Sequence, residues 1–343
     1  MTAEQPTHGD YSELTEQEKA VKALRKELLE EGLITEKGDS LGTQDDQTLL
    51  RFLRARKFNI NHTKAMVKHA IEWRQSVLGV GIDEIYRRTD PYDYPERHEV
   101  FKHWPIWYHK TDKDGRPINV ESLGDIDIGE LYKTIAPDRF WETIIATAEG
   151  LAREVLPGSS YAAGRQIGDV FIIIDLKGFG LGKFWSMKSL IKDSFQFSQD
   201  FYPETMGKLV VINAPYSFSA IWAAVRPWLA KETQDKVHIF GSDYAPFLLE
   251  HIEAENLPST LGGKCTCADK GGCQFSNGGP WMEGRKERRE KWLKGEIANP
   301  GLSLADKNAE EAITEKKISP QPASSSPIHH AHQQHIAVGA NEL

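Results

Sequence analysis

Three cysteines, Cys265, Cys267 and Cys273, lie close together in the C-terminal third of the chain. Thiolates are zinc ligands, and this set could hold the ion if a histidine joined it. Three thiolates are one donor short and their spacing matches no common finger, so free thiols in a structural turn are expected, and no metal. A second candidate is the run Gly178, Gly180, Gly182 and Lys183, which follows an apolar stretch and invites a nucleotide reading. The dinucleotide fingerprint needs a longer step to its last glycine. A phosphate-binding loop needs one more residue and a hydroxyl after the lysine, where Phe184 stands. A flexible turn is the better reading. The chain has neither a Gly-x-Ser-x-Gly elbow nor a His-Glu-x-x-His pair. With no nucleophile beside a base, no catalytic residues and no cofactor are expected; the chemistry points to binding rather than to an enzyme.

What remains is one carboxylate, Glu204, and one ammonium, Lys236, at the two ends of an unusual stretch. Leu209-Val210-Val211-Ile212 reads as a strand, Asn213-Ala214-Pro215 breaks it, and Val237-His238-Ile239-Phe240 reads as another strand. Between them Phe218, Ile221, Trp222, Val225, Trp228 and Leu229 recur at helical spacing, with Ala220, Ala223 and Ala224 on the other face. A helix apolar nearly all round is buried or faces something other than water, and this one is too short to span a bilayer. Pro227 should kink or end it. It is either a crossover helix on a sheet or a movable lid over a hydrophobic site.

Length and charge bound the rest. With 343 residues, 39% of them hydrophobic, the chain can bury a sizeable core in one or two domains. A net charge of −8 argues against a nucleic-acid binder driven by overall charge. Residues 1–47 carry 12 acidic and 5 basic side chains, whereas residues 48–75 carry 7 basic and 1 acidic. A local basic patch on an acidic protein suits a specific anionic group. No N-terminal apolar signal or membrane-spanning run appears, and three cysteines make no disulfide framework, so a soluble cytoplasmic chain is expected.

The elements that must position these residues follow from pattern. Thr15 and Glu18 form a capping box opening a helix that ends near Gly32. Further helices are expected from Asp45-Asp46 and from His62 to Val77, making a small helical subdomain over 12–78 after a disordered 1–11. Residues 79–105 read as irregular. Trp107–His109 and Arg116–Glu121 read as a hairpin turning at Asp114-Gly115. A long helix from Pro137 is expected to stop at Pro157-Gly158. Val170–Ile174 is a β-branched apolar run suited to a buried parallel strand. Strand–helix alternation then predicts βαβ units in an α/β domain over 79–283. The basic segment 281–294 reads as a solvated helix, and a polar tail with His329, His330, His332 and His335 completes 284–343.

Several strings, taken together, carry a family likeness. They are Leu49-Leu50-Arg51-Phe52-Leu53-Arg54-Ala55-Arg56-Lys57-Phe58, Tyr108 through Pro117, Asp175-Leu176-Lys177-Gly178, Tyr202-Pro203-Glu204, Ile212-Asn213-Ala214-Pro215, and Glu255-Asn256-Leu257-Pro258 with Leu261-Gly262-Gly263. In this order, over roughly residues 15–283, they resemble the yeast-type phosphatidylinositol/phosphatidylcholine transfer proteins with a CRAL-TRIO lipid-binding domain. The cysteine string is most similar to the plant branch. The resemblance implies a helical N-terminal lobe and a mixed, mainly parallel sheet flanked by helices, enclosing a cavity for one phospholipid. It makes the helix from Phe218 to Leu229 a gate. It assigns Arg56, Lys57, Glu204, Thr233 and Lys236 to the inositol headgroup. It places the second-ligand cavity at Tyr108, Asn119, Val170 and Ile172.

At that second site the chain departs from the family. Asn119 stands where a tyrosine is usual, and Val170 and Ile172 where hydroxyls are. A buried phosphate without donors is strongly disfavoured. The resemblance implies a monomer, transiently peripheral to Golgi, endosomal or other membranes. It would transfer phosphatidylinositol or present it to a phosphatidylinositol kinase, with a sterol-like or other neutral lipid as second ligand. The alternative is a sensor in which that second lipid controls presentation without bulk transfer.

Overall fold

The computed structural model of the chain describes residues 15–36, 41–42, 45–229, 231–302 and 304–308, without the side chains of 232 and 233. Residues 1–11, the histidine-rich tail and the side chain of Thr233 lie outside the described residues. The chain divides into a body ending at Leu304 and a C-terminal unit from Ala305.

Three helices open the body: α1 (Glu16–Glu30), α2 (Asp46–Ala55) and α3 (Ile60–Ser76). The capping box is present, with the Glu18 amide donating to Thr15 Oγ1 at 3.3 Å and the Thr15 amide to Glu18 Oε2 at 2.8 Å. Asp45 and Asn59 cap the next two helices. Leu24, Leu28, Leu49, Leu53, Val67 and Ala70 close their common seam without solvent access. Residues 79–105 are not irregular: they hold α4 (Ile82–Arg88) and α5 (Arg97–His103). Each has 7 residues, too few for its periodicity to stand out in sequence. Tertiary burial of Ile82, Ile85, Tyr86 and Val100 stabilises them instead.

The hairpin β1 (Ile106–Thr111) and β2 (Pro117–Ser122) turns through Gly115 at φ 81°. After α6 (Ile128–Thr134), α7 (Pro137–Gly150) does not stop at Pro157. It runs through a π-helical turn, Leu151–Val155, into α8 (Leu156–Ala163), which ends at left-handed Gly164. Pro157 cannot donate to the carbonyl of Arg153, and the wider turn absorbs that loss. Gly158 is a packing glycine: a Cβ there would lie 2.6 Å from Trp281 Cα.

The rest follows as β3 (Val170–Asp175), α9 (Leu181–Phe201), β4 (Met206–Ile212), α10 (Phe218–Val225), α11 (Lys231–Gln234), β5 (Val237–Ile239), α12 (Ala245–His251), α13 (Cys273–Ser276) and α14 (Arg285–Leu293). The sheet order is β1-β2-β3-β4-β5, antiparallel only between β1 and β2. This is the expected mixed, mainly parallel α/β sheet flanked by helices.

The two faces of that sheet differ. On one, Ile118, Val120, Phe171, Ile173, Val210 and Ile212 are all 0% exposed, packed against Val100, Leu248 and Ile252. Register defines the other: Tyr108, Asn119, Ile172, Leu209 and Val237 form one row, and Glu121, Ile174, Val211 and Ile239 the next. There Tyr108, Ile172, Ile174 and Val237 keep partial access although most of them are apolar.

The basic helix α14 is not a solvated rod. It buries Arg285, Arg289 and Trp292 in the body. Arg285 bonds both Glu154 (2.6 and 2.9 Å) and Asp90 (3.0 and 2.8 Å), and the Tyr86 hydroxyl donates to Glu154. Repeated Lys/Arg in the sequence hid two arginines that are structural.

Candidate functional site

The two sequence-marked charges come together. Lys236 Nζ lies 3.8 Å from Glu204 Oε2 and donates to the Met206 carbonyl at 3.0 Å. Both side chains are about one-third exposed, so the pair is worth little as a salt bridge and stays available to a ligand.

The loop holding Glu204 is built by the residues before it. The Tyr202 hydroxyl donates to Glu149 Oε2 at 2.9 Å, and Arg74 of α3 bonds the same carboxylate, with Nη1 2.9 Å from Oε2. Arg153 also donates to Glu149. Burial would raise the Glu149 pKa, but the guanidinium groups of Arg74 and Arg153 overcome it and hold the carboxyl down at about 2. The tyrosine of Tyr-Pro-Glu thus ties α3, α7 and the end of α9 to one buried anion. Glu204 follows at φ 56°, a left-handed backbone uncommon for glutamate.

Arg56 and Lys57 sit at the end of α2. Phe58 N donates to the Leu53 carbonyl at 2.8 Å and Lys57 N to the Arg54 carbonyl at 3.0 Å, which is a Schellman ending. Lys57 occupies its left-handed position, usually glycine, at φ 51°. Lys57 is exposed and Arg56 half-buried. Two of the residues expected at the headgroup therefore hold left-handed backbone conformations, as Phe58, Leu78, Lys110, Asn213, Cys267 and Asn277 also do. Arg51, one turn earlier, lines a small cavity with Arg74, Phe201, Tyr202, Pro203 and Thr205, between α2 and the Glu204 loop. Burial lowers its pKa.

Tyr108, Asn119 and Ile172 share one row across three strands, and Val170 lies on the same face two residues before Ile172. Tyr108, Val170 and Ile172 belong to one apolar cluster with Leu151, Val155 and Trp281. One proton of the Asn119 amide is committed, donated to the Trp107 carbonyl at 3.1 Å. Sequence reasoning missed Glu121 on this face, although the strand alternation places it beside Asn119. Among the described residues none hydrogen-bonds or ion-pairs with its carboxylate, and burial alone pushes its pKa up to about 7. The Tyr108 pKa is also raised, by burial first and by Glu121 second.

Helix α10 covers the same face. Ile221 packs among Val211, Phe184 and Met187, flanked by Phe218, Val225, Trp228 and Ile174. The Phe218 and Trp222 rings stack 6.3 Å apart, and Leu229 is 7% exposed. Ser219, Ala220, Ala223 and Arg226 face outward, so the apolar side is laid on the sheet and the small side on solvent. A 3-10 turn, Arg226–Trp228, ends the helix at Pro227 as expected.

Comparison with known proteins adds to this geometry. The CRAL/TRIO domain model matches residues 101–263 and the CRAL/TRIO N-terminal domain model residues 15–69. The chain is 43% identical over 249 residues to the Sec14 cytosolic factor of Schizosaccharomyces pombe, covering 73% of this chain and 82% of that protein. It is 38% identical over 273 residues to the SEC14 cytosolic factor of Kluyveromyces lactis, covering 78% and 85%. It is 37% identical over 265 residues to the phosphatidylinositol/phosphatidylcholine transfer protein SFH7 of Arabidopsis thaliana, covering 77% of this chain and 46% of that one. The crystal structure of Sfh5 shares the fold, with a TM-score of 0.54 at 15% identity over 87% of this chain and 97% of that chain. Among the described residues no helix is long and apolar enough to cross a membrane.

Proposed function

The chain belongs to the CRAL/TRIO family, and from that premise we propose that it binds phosphatidylinositol and moves it between membranes or presents it to a lipid kinase. The observation that carries this reading is the asymmetry of the sheet. One face is packed to exclusion, while the other offers partly accessible apolar side chains beneath an apolar helix. Such a face suits acyl chains. The relatives named as phosphatidylinositol/phosphatidylcholine transfer proteins support the substrate class.

In this mechanism Arg56 and Lys57 meet the phosphate, and Glu204, Lys236 and Thr233 meet the inositol hydroxyls. Helix α10 is the gate. Lifting it into water would expose Ile221, Leu229 and their neighbours at about 1.5–3 kcal/mol each. Against a bilayer those contacts are replaced by lipid, so opening couples to membrane contact. Substituting Glu204→Ala or Lys236→Ala should abolish phosphatidylinositol transfer between vesicles while circular dichroism and Tm stay near wild type. Unchanged transfer would refute the assignment.

The second ligand is proposed to be a neutral lipid with a single polar end. The side chains of Val170 and Ile172 offer no hydrogen bonds, one Asn119 amide proton is taken by the Trp107 carbonyl, and Glu121, once ionised, would repel a phosphodiester. A lone hydroxyl could bond Tyr108 or Glu121. Mass spectrometry of lipid extracted from the purified protein tests this. Stoichiometric phosphatidylcholine would sink it.

A further inference from the structure

Outside the lipid-binding face lies a cluster that this function does not use. His109, on β1, points to the opposite side of the sheet from Tyr108 and is fully buried. Its Nε2 lies 3.4 Å from Cys265 Sγ, and Cys265 Sγ lies 3.6 Å from Cys267 Sγ. With Cys273 these four donor atoms all fall within 4.8 Å of one another. The histidine is 156 residues upstream of Cys265, which is why the spacing of the cysteines alone looked one donor short.

We infer that His109, Cys265, Cys267 and Cys273 form a tetrahedral Cys3His zinc site. Tetrahedral zinc, with Zn–S near 2.3 Å and Zn–N near 2.0 Å, sets donor–donor separations of about 3.5–3.8 Å. Two of the separations lie in or within about 0.1 Å of that range, and the longest needs to close by about 1 Å at most. A disulfide is a poorer account, because the thiols are free and the Cys265–Cys267 sulfurs stand well beyond bonding distance.

The imidazole is oriented for ligation. Ser276 Oγ donates its one proton to the Cys273 carbonyl at 2.7 Å. Its contact with His109 Nδ1, 3.2 Å, must therefore be donated by the ring. Nδ1 carries the proton, and the Nε2 lone pair faces the sulfurs. This is the outer-shell bond that metal-binding histidines ordinarily make. The loop is shaped for the task too: Cys267 has φ 42°, and Gly271 and Gly272 turn the chain back so that Cys273 re-enters the cluster. Lys110 stands beside Cys265 and offsets the surplus negative charge of three thiolates around a dication. Four protein donors complete a tetrahedron and three of them are buried, so the ion is structural. It clamps the edge strand β1 to the segment between Leu257 and Trp281.

Cobalt(II) substitution of the reduced, full-length protein tests this. The expected result is one equivalent of cobalt with thiolate charge-transfer absorption and the intense visible bands of a tetrahedral site, displaced by one equivalent of zinc. Imidazole-only binding by the tail histidines gives no thiolate band, so it is not confused with this site. Cys273→Ser should weaken zinc by more than about 100-fold, and His109→Cys should keep the metal with a shifted, all-thiolate spectrum. The wild-type spectrum decides even if a variant fails to fold. Absence of a thiolate band in the reduced wild-type protein, or a band unaltered by both substitutions, overturns the proposal.

Discussion

Lys57 adopts a backbone that lysine disfavours, at the position where the end of α2 would ordinarily take glycine. If the headgroup role explains that conformation, stability and function should separate. Lys57→Gly is expected to leave stability unchanged or raise it by up to about 1 kcal/mol, while phosphatidylinositol binding falls several-fold. Denaturant titration and a lipid-binding assay on the same preparation check both halves; a loss of stability would point to a structural lysine. Glu121 gives a second prediction. Its folded pKa, about 7, stands above the ordinary 4.5, so the unfolded chain ionises first as pH rises. The ligand-free protein should lose stability between those values and be fully penalised above them. Glu121→Gln should flatten that slope and stabilise the protein at pH 8 by on the order of 2 kcal/mol, screened by partial access. A pH series of urea melts measures it.

Among the elements, the junction of α3, α7 and the Tyr202 loop rests on Glu149. Its folded pKa, about 2, lies below the ordinary 4.5, so its contribution is fully present above pH 4.5 and disappears as pH falls toward 2. Its size is on the order of 3 kcal/mol. Glu149→Gln should remove that acid-labile part and, by loosening Tyr202, weaken headgroup binding without touching a headgroup residue. Equal acid sensitivity of variant and wild type would exclude this role. The helix caps and the hairpin were legible in sequence because their signals are local: Thr15 with Glu18, and Asp114 with Gly115. The continuation of α7 through Pro157 was not, because a proline looks like a stop until the π turn that accommodates it is seen. The helices α4 and α5 were missed for the opposite reason: their own signal is weak and their burial supplies the stability.

At the scale of the whole molecule, α14 belongs to the body although its composition reads as a solvated appendage. A chain ending at Gly284 would lose Arg285 and leave Glu154 and Asp90 without their cation. Removing one partner of a buried pair costs about 3–5 kcal/mol. Such a truncation should melt at a clearly lower temperature than the full chain by calorimetry. An unchanged Tm would make the helix dispensable.

Sequence alone determined the mixed α/β class, the strand that carries Val170 and Ile172 on one face, and the apolar helix from Phe218, and it marked Glu204 and Lys236 as charges to look for. All of these follow from period, composition or contiguous strings, which act over a few residues. Tertiary structure alone decided which distant groups meet. Tyr202 finds Glu149, 53 residues away; Arg285 finds Glu154, 131 away; His109 finds Cys265, 156 away. No local signal encodes such pairings. Sheet register and helix packing bring them together, and burial then makes an unpaired charge or donor too costly to leave alone.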